Sequence, residues 1–102
     1  MKSESEIRVR SWVRGTDDDL RAGLVGYLSL FVGDLIVDGV TLRRTRDGRF
    51  TLSWPARTDR AGRRHATVRP VDDEVRRRVE REILGQLGQH VASATGQEAD
   101  DA

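Results

Sequence analysis

No cysteine occurs in the 102 residues, which excludes disulfides, thiolate zinc sites and cysteine nucleophiles together. The only imidazoles are His65 and His90. They fall on different predicted elements with no third ligand nearby, so no metal site is expected. Neither glycine-rich phosphate motif is present, and no cofactor is expected. Ser11, Ser29 and Ser53 lie within predicted strands, outside any nucleophile elbow and without a histidine placed to activate them, so the chain does not read as an enzyme. No apolar run approaches the length of a membrane span, and the start Met1-Lys2-Ser3-Glu4-Ser5-Glu6 lacks the apolar segment of a secretory signal. These absences point to a soluble cytoplasmic protein that makes no membrane contact.

What is present is charge. Charged residues make up 34% of the chain against 36% hydrophobic, so a modest core must sit under a densely charged surface. The net charge of +1 conceals a segregation along the chain. Between Arg43 and Pro70 nine arginines (Arg43, Arg44, Arg46, Arg49, Arg57, Arg60, Arg63, Arg64, Arg69) face two acids, Asp47 and Asp59, a formal +7. Lys2 is the one lysine, so the basic surface offers planar forks suited to phosphate and guanine edges.

The hydrophobic pattern gives strands first. From Ile7 to Arg14 the residues alternate, with Ile7, Val9, Ser11 and Val13 on one face and Arg8, Arg10, Trp12 and Arg14 on the other. Gly15-Thr16-Asp17-Asp18-Asp19 reads as a solvated acidic loop. Leu24 to Val32 is the strongest strand, and Gly33-Asp34 suits a two-residue hairpin that pairs Val32 with Leu35 and Leu30 with Val37. Val40 and Leu42 then have the wrong parity, which a β-bulge at Gly39 repairs. Around Arg46-Asp47-Gly48, a three-residue loop pairs Leu42 with Leu52 and Val40 with Trp54. The next strand runs Phe50 to Trp54 with Trp54 in the core, Pro55 ends it, a polar loop follows through Gly62, and Arg64 to Arg69 suits an edge-like fifth strand.

After Pro70 the period becomes helical, with Val71, Val75, Val79, Ile83, Leu87 and Val91 spaced by four and Leu84 beside them. Asp72 suits the N-cap, Asp73 and Glu74 suit the positive end of the dipole, and Arg76 with Glu80 and Glu74 with Arg78 are i,i+4 pairs. The predicted fold class is α+β: an antiparallel meander sheet of about five strands covered by one C-terminal amphipathic helix. One domain over residues 1–92 and a flexible acidic tail over residues 93–102 complete the organisation. One helix against so much sheet leaves apolar surface over, and a homodimer is expected on that ground.

The segment Leu24 to Leu84 resembles the SpoVG family, the septation and stage V sporulation protein G group of bacterial regulators. The likeness lies in the strand Leu35-Ile36-Val37-Asp38-Gly39-Val40, the glycine turn at Gly48, and the short strand Phe50 to Trp54. It continues in the loop Pro55-Ala56-Arg57-Thr58 with Gly62, the helix entrance Arg69-Pro70-Val71 and the helix after it. Arg57 matches the family's first loop base, while Thr58 stands at the second with Arg60 two residues on. The resemblance implies a dimeric regulator that binds DNA or RNA.

The expected nucleic-acid contacts are Arg57, Arg60, Arg63 and Arg64, with Arg69 beside them, forming a rim that tracks phosphates. Arg43, Arg44 and Arg46 at a hairpin tip reach a groove or protect a sheet edge. Trp12, among Arg8, Arg10 and Arg14, either stacks a base or packs under the sheet edge or in a dimer contact. The alternative function is a protein-interaction module whose arginines meet an acidic protein partner and whose sheet accepts a strand from another chain. If the acidic tail folds over the arginines, deleting the residues after Ala92 tightens nucleic-acid binding at low salt; unchanged affinity in a filter-binding or anisotropy titration removes that idea.

Overall fold

The computed structural model describes residues 6–88 and residue 90. In chain order the elements are β1 (Ile7–Arg14), α1 (Asp17–Arg21), β2 (Leu24–Val32), β3 (Leu35–Arg44), β4 (Phe50–Ser53), β5 (Ala56–Thr58), β6 (Arg64–Ala66) and α2 (Asp73–Leu87). The first four strands form one antiparallel sheet in the order β1-β2-β3-β4, while β5 and β6 form a separate two-stranded sheet. The α+β class and the antiparallel meander are thus present, with α2 as the C-terminal helix.

Register follows from side-chain parity. The turn at Gly33-Asp34 pairs Val32 with Leu35 and Leu30 with Val37, after which the pairing shifts so that Leu28 meets Val40. The extra β3 residue sits at Asp38-Gly39, where Gly39 has φ +83°. The left-handed conformation that only glycine adopts without strain makes this bulge, and it returns Val40 and Leu42 to the buried side. At the next turn Leu42 pairs with Leu52, Gly48 has φ +88°, and the Thr45 amide donates to the Arg49 carbonyl at 2.8 Å. β4 stops at Ser53, so the expected Val40–Trp54 pair does not form. Trp54 nevertheless packs, partly buried, against the core.

Four expectations are corrected. In β1 the pairing shifts between Val9 and Ser11, so Arg10 is an extra residue and Trp12 crosses to the core side opposite Leu28. Trp12 therefore does not share a face with Arg8 and Arg10, and Val13 is left 60% exposed. Gly26 makes room for this: a Cβ there would lie 2.4 Å from Trp12 Cη2, so the indole occupies the space of the missing side chain. Second, the acidic loop contains a helix. Thr16 Oγ1 accepts from the Asp19 amide at 3.1 Å and Asp19 Oδ2 accepts from the Thr16 amide at 3.0 Å, a capping box that favours a helical turn where composition suggested coil.

Third, the strand expected at Arg64 to Arg69 forms only over Arg64–Ala66, and it pairs with β5, a strand inside the segment expected as loop, instead of extending the main sheet. Asp59 explains the local pairing. Its Oδ1 accepts from the amides of Ala61 and Arg63, each at 2.9 Å, and fixes a tight turn that brings β6 back onto β5. Fourth, Val71 leaves the apolar stripe because the helix starts beyond it: Asp72 is the N-cap, its Oδ1 accepting from the Val75 amide at 2.9 Å, and Val71 is 88% exposed. The Arg76–Glu80 ion pair forms at 3.1 Å, whereas no ion pair joins Glu74 to Arg78 among the described residues. Val91, the domain limit near residue 92 and the acidic tail lie outside the described residues.

The core lies between one face of the four-stranded sheet and α2, built from Val25, Leu28, Leu30, Val37, Val40, Leu42 and Leu52 with Val79, Ile83 and Leu87 of the helix. Polar side chains of α2 also reach both outer strands. Gln86 accepts from the Val9 amide at 2.7 Å and donates to the Ile7 carbonyl at 2.9 Å, so its amide stands in for a neighbouring strand along β1. Glu80, nearly buried, accepts from the Leu52 amide at 3.1 Å and the Thr51 hydroxyl at 3.0 Å on β4. No helix among the described residues is long and apolar enough to cross a membrane.

Removing the Glu80 carboxylate strands a buried amide. Glu80→Ala is expected to destabilise the protein by about 2–3 kcal/mol in urea unfolding, with Glu80→Gln recovering part of the loss; a cost below about 0.5 kcal/mol contradicts this role for the side chain.

Candidate nucleic-acid interface

α2 covers one face of the sheet, and no helix among the described residues covers the other. Cross-strand partners share a face, so the rows Val13–Tyr27–Thr41–Ser53 and Arg8–Phe31–Ile36 both lie on the uncovered side. Successive residues of a strand point to opposite faces, so Leu42 enters the core while Arg43 stands on the uncovered face. Arg44, opposite Phe50, returns to the helix side at the end of the strand.

The β5–β6 hairpin adds a wall. Thr58 pairs with Arg64 and Ala56 with Ala66 on one hairpin face, and Arg57 pairs with His65 on the other. Pro55 approaches the bulge, 3.8 Å from where a Gly39 Cβ would be. Between hairpin and sheet lies a concavity lined by Gly39, Thr41, Arg43, Ser53, Trp54, Pro55, Ala56 and Arg64. A second depression shares Ser53, Trp54, Ala56 and Arg64 with it and adds Leu52, Ala66 and Arg69. Arg64 therefore stands between the two, with Arg43 on one side and Arg69 on the other. Trp54 is common to both, and its Nε1–H is buried without a hydrogen-bond partner among the described residues.

The eight arginines expected to form a single surface are exposed but divided. Arg43 and Arg64 line the first concavity and Arg64 and Arg69 the second, with Trp54 common to both. Arg44 and Arg46 line a different concavity with Leu20, Arg21 and Gly23. Arg57 lies on the far face of the hairpin, and Arg60 and Arg63 sit at its turn. Arg63 is the one member of the eight with an acidic partner within 4.0 Å among the described residues, its Nε lying 3.3 Å from Asp59 Oδ2. The other seven keep their charge unpaired there.

Two basic contributors were missed from sequence. Arg21 joins Arg44 and Arg46 because α1 ends beside the β3–β4 turn, and the Thr16-x-x-Asp19 capping box was the signal for that helix. Arg49 shares a third concavity with Arg76 and Arg77 of α2, lined also by Thr45, Phe50, Thr51 and Glu80, a meeting of elements far apart in the chain. There Glu80 takes up Arg76 at 3.1 Å, so the charge is partly neutralised.

Comparison of the chain with protein-family models, with curated proteins and with solved structures finds no match.

Asp59 governs the hairpin that carries Arg64. His65 Nε2 lies 2.7 Å from its Oδ2, and this contact, followed by the amides of Arg63 and Ala61 and the Arg63 guanidinium, holds its carboxyl below the ordinary value of 3.8. A carboxyl depressed in the folded state contributes stability that is fully present above 3.8 and lost as pH falls through the lower folded value. The protection of the β5 and β6 amides relative to unfolded chain is therefore expected to fall below about pH 3.8 in the native chain, and Asp59→Ala to show low protection already at neutral pH. Equal protection in both proteins at neutral pH contradicts the role of this carboxylate.

Proposed function

We propose that this chain is a cytoplasmic nucleic-acid-binding regulator of the SpoVG-like kind, and that Arg43, Arg64 and Arg69 supply its central phosphate contacts. The observation that carries the reading is that Arg43 and Arg64, from β3 and β6, line one concavity while Arg64 and Arg69, from the segment before α2, line an adjoining one, and none of the three has an acidic partner among the described residues. Guanidinium groups unpaired beside a concave surface attract a polyanion, and each phosphate they neutralise releases condensed counterions. The segment also carries the loop and helix-entrance pattern that resembles the SpoVG regulators. Arg57, Arg60 and Arg63 belong to the same hairpin and extend the positive field around it. Arg44 and Arg46 act at longer range.

The alternative module, in which a partner strand adds to the sheet, needs free backbone groups along an outer strand. Ile7 O, Val9 N and Leu52 N are already engaged by Gln86 and Glu80. This disfavours strand addition at those positions and favours the electrostatic groove. The homodimer belongs to the proposal as well, with exposed Leu35 and Ile36 beyond the Gly33-Asp34 turn as its apolar contacts.

Binding to random-sequence oligonucleotides as a function of salt tests the proposal. The native chain is expected to bind with a steep salt dependence, and Arg43→Ala, Arg64→Ala and Arg69→Ala combined should lower the slope of log K against log salt by about 2–3. Arg44→Ala with Arg46→Ala should change it by less. Absence of binding at low salt, or a slope indifferent to the triple change, contradicts the proposal.

A further inference from the structure

The uncovered sheet face next to the arginine groove carries aromatic side chains, and this goes beyond a purely electrostatic surface. Tyr27 lies in the middle of the sheet on β2, is 43% exposed, and pairs across the strands with Val13 and Thr41. Arg43 is two residues beyond Thr41 on the same face, a step of about 7 Å along a strand, which one extended nucleotide can span. On the other side of Tyr27 along β2 is Phe31, with the Arg8 guanidinium 4.9 Å from its ring centroid. The face thus offers an exposed aromatic side chain with Arg43 towards one end and Arg8, stacked on Phe31, towards the other, neither with an acidic partner among the described residues.

The charges around Tyr27 itself have the opposite sign. Its hydroxyl lies 3.4 Å from Asp19 Oδ2, and the amide and hydroxyl of Thr16 are foremost among the contacts that hold that carboxyl ionised below its ordinary value. A phosphate is repelled there, while a base, which is uncharged, is not. Phosphate-attracting and base-accepting positions are therefore separated in space, the first at Arg43 and Arg64 and the second at Tyr27.

Duplex nucleic acid hides its base faces inside the stack, so a surface arranged in this way gains from a single strand and not from a duplex. We infer that the uncovered face binds single-stranded nucleic acid, with the phosphates in the Arg43–Arg64 groove and a base stacked on Tyr27. This rests on the proposed nucleic-acid function and specifies its substrate class. The exposed Val13, paired with Tyr27 across the strands, borders the platform without charge. Since stacking uses a feature common to every base, the site is expected to be tolerant of sequence.

The test uses the full chain with fluorescently labelled random-sequence single strands, of both RNA and DNA, and the matching duplexes. The single strands are expected to bind at least tenfold more tightly than the duplexes. Tyr27→Ala should weaken single-strand binding by about five- to a hundredfold, the range for loss of one stacked base, while duplex binding stays within twofold. Tyr27→Trp should restore the affinity, which a merely structural role of the tyrosine would not produce. Circular dichroism and gel filtration of each variant establish that fold and association state are kept.

Duplex binding as tight as single-strand binding overturns the inference. So does a Tyr27→Ala protein that binds single strands normally while the triple arginine variant does not; in that case the electrostatic function stands and the platform falls. A Tyr27→Ala change that dissociates a dimer and leaves affinity unchanged assigns the face to a second copy of the chain and also overturns the inference. Absence of binding to every oligonucleotide removes both this inference and the function on which it rests.

Discussion

A four-stranded sheet has two faces, and among the described residues one long helix is available to cover them. α2 buries Val79, Ile83 and Leu87 against one face and reaches to both outer strands through Glu80 and Gln86. Each fully buried aliphatic side chain contributes about 1.5–3 kcal/mol, so the covered side accounts for most of what holds the fold together. The partnered backbone groups of β1 and β4 keep those strands from pairing indiscriminately. What remains is a sheet face that the core does not need. It is free to carry chemistry chosen for other reasons, and the residues on it are of another kind: Arg8, Tyr27, Phe31, Thr41, Arg43 and Ser53.

The hairpin of β5 and β6 converts this open face into a groove. It depends on Asp59, whose carboxylate organises the turn through the amides of Ala61 and Arg63 while pairing with His65 and Arg63. One acid is thus spent on fixing the wall, and Arg64 on that wall is left without an acidic partner among the described residues. The same division recurs at the β3–β4 turn, where Asp47 receives the Thr45 hydroxyl and the Arg49 guanidinium at 3.1 Å while Arg43, Arg44 and Arg46 have no acidic partner among the described residues. Acids in the basic half of the chain serve turns, and the field of the remaining arginines is left largely uncancelled.

Much of the sheet was legible because apolar parity is a strict constraint. The slip between Val37 and Val40 required an extra residue, and a glycine stood where it was needed. The bulge in β1 left no such mark: Arg10 carries no conformational signal, and only the space above Gly26 shows why Trp12 turns inward. β5 was hidden because Ala56-Arg57-Thr58 has no apolar alternation, and its pairing is imposed by the Asp59 turn. The arginines were legible as a charge excess but not as a surface. Adjacent residues such as Arg43 and Arg44 part to opposite faces, and Arg49 meets Arg76 and Arg77 only after the helix has docked. The eight arginines could not be sorted from the sequence into the three that line the two concavities around Trp54 and the five that lie elsewhere.

The central claim is that the partner engages the side of the sheet opposite α2. Amide chemical-shift mapping by NMR during titration with a short random-sequence single strand tests it most directly. The account predicts shifts concentrated at Tyr27, Thr41, Arg43, Ser53, Arg64 and Arg69, with the exposed positions Arg77 and Arg81 of α2 unmoved. Shifts confined to α2 and the Arg49 concavity, with the uncovered face silent, would contradict it.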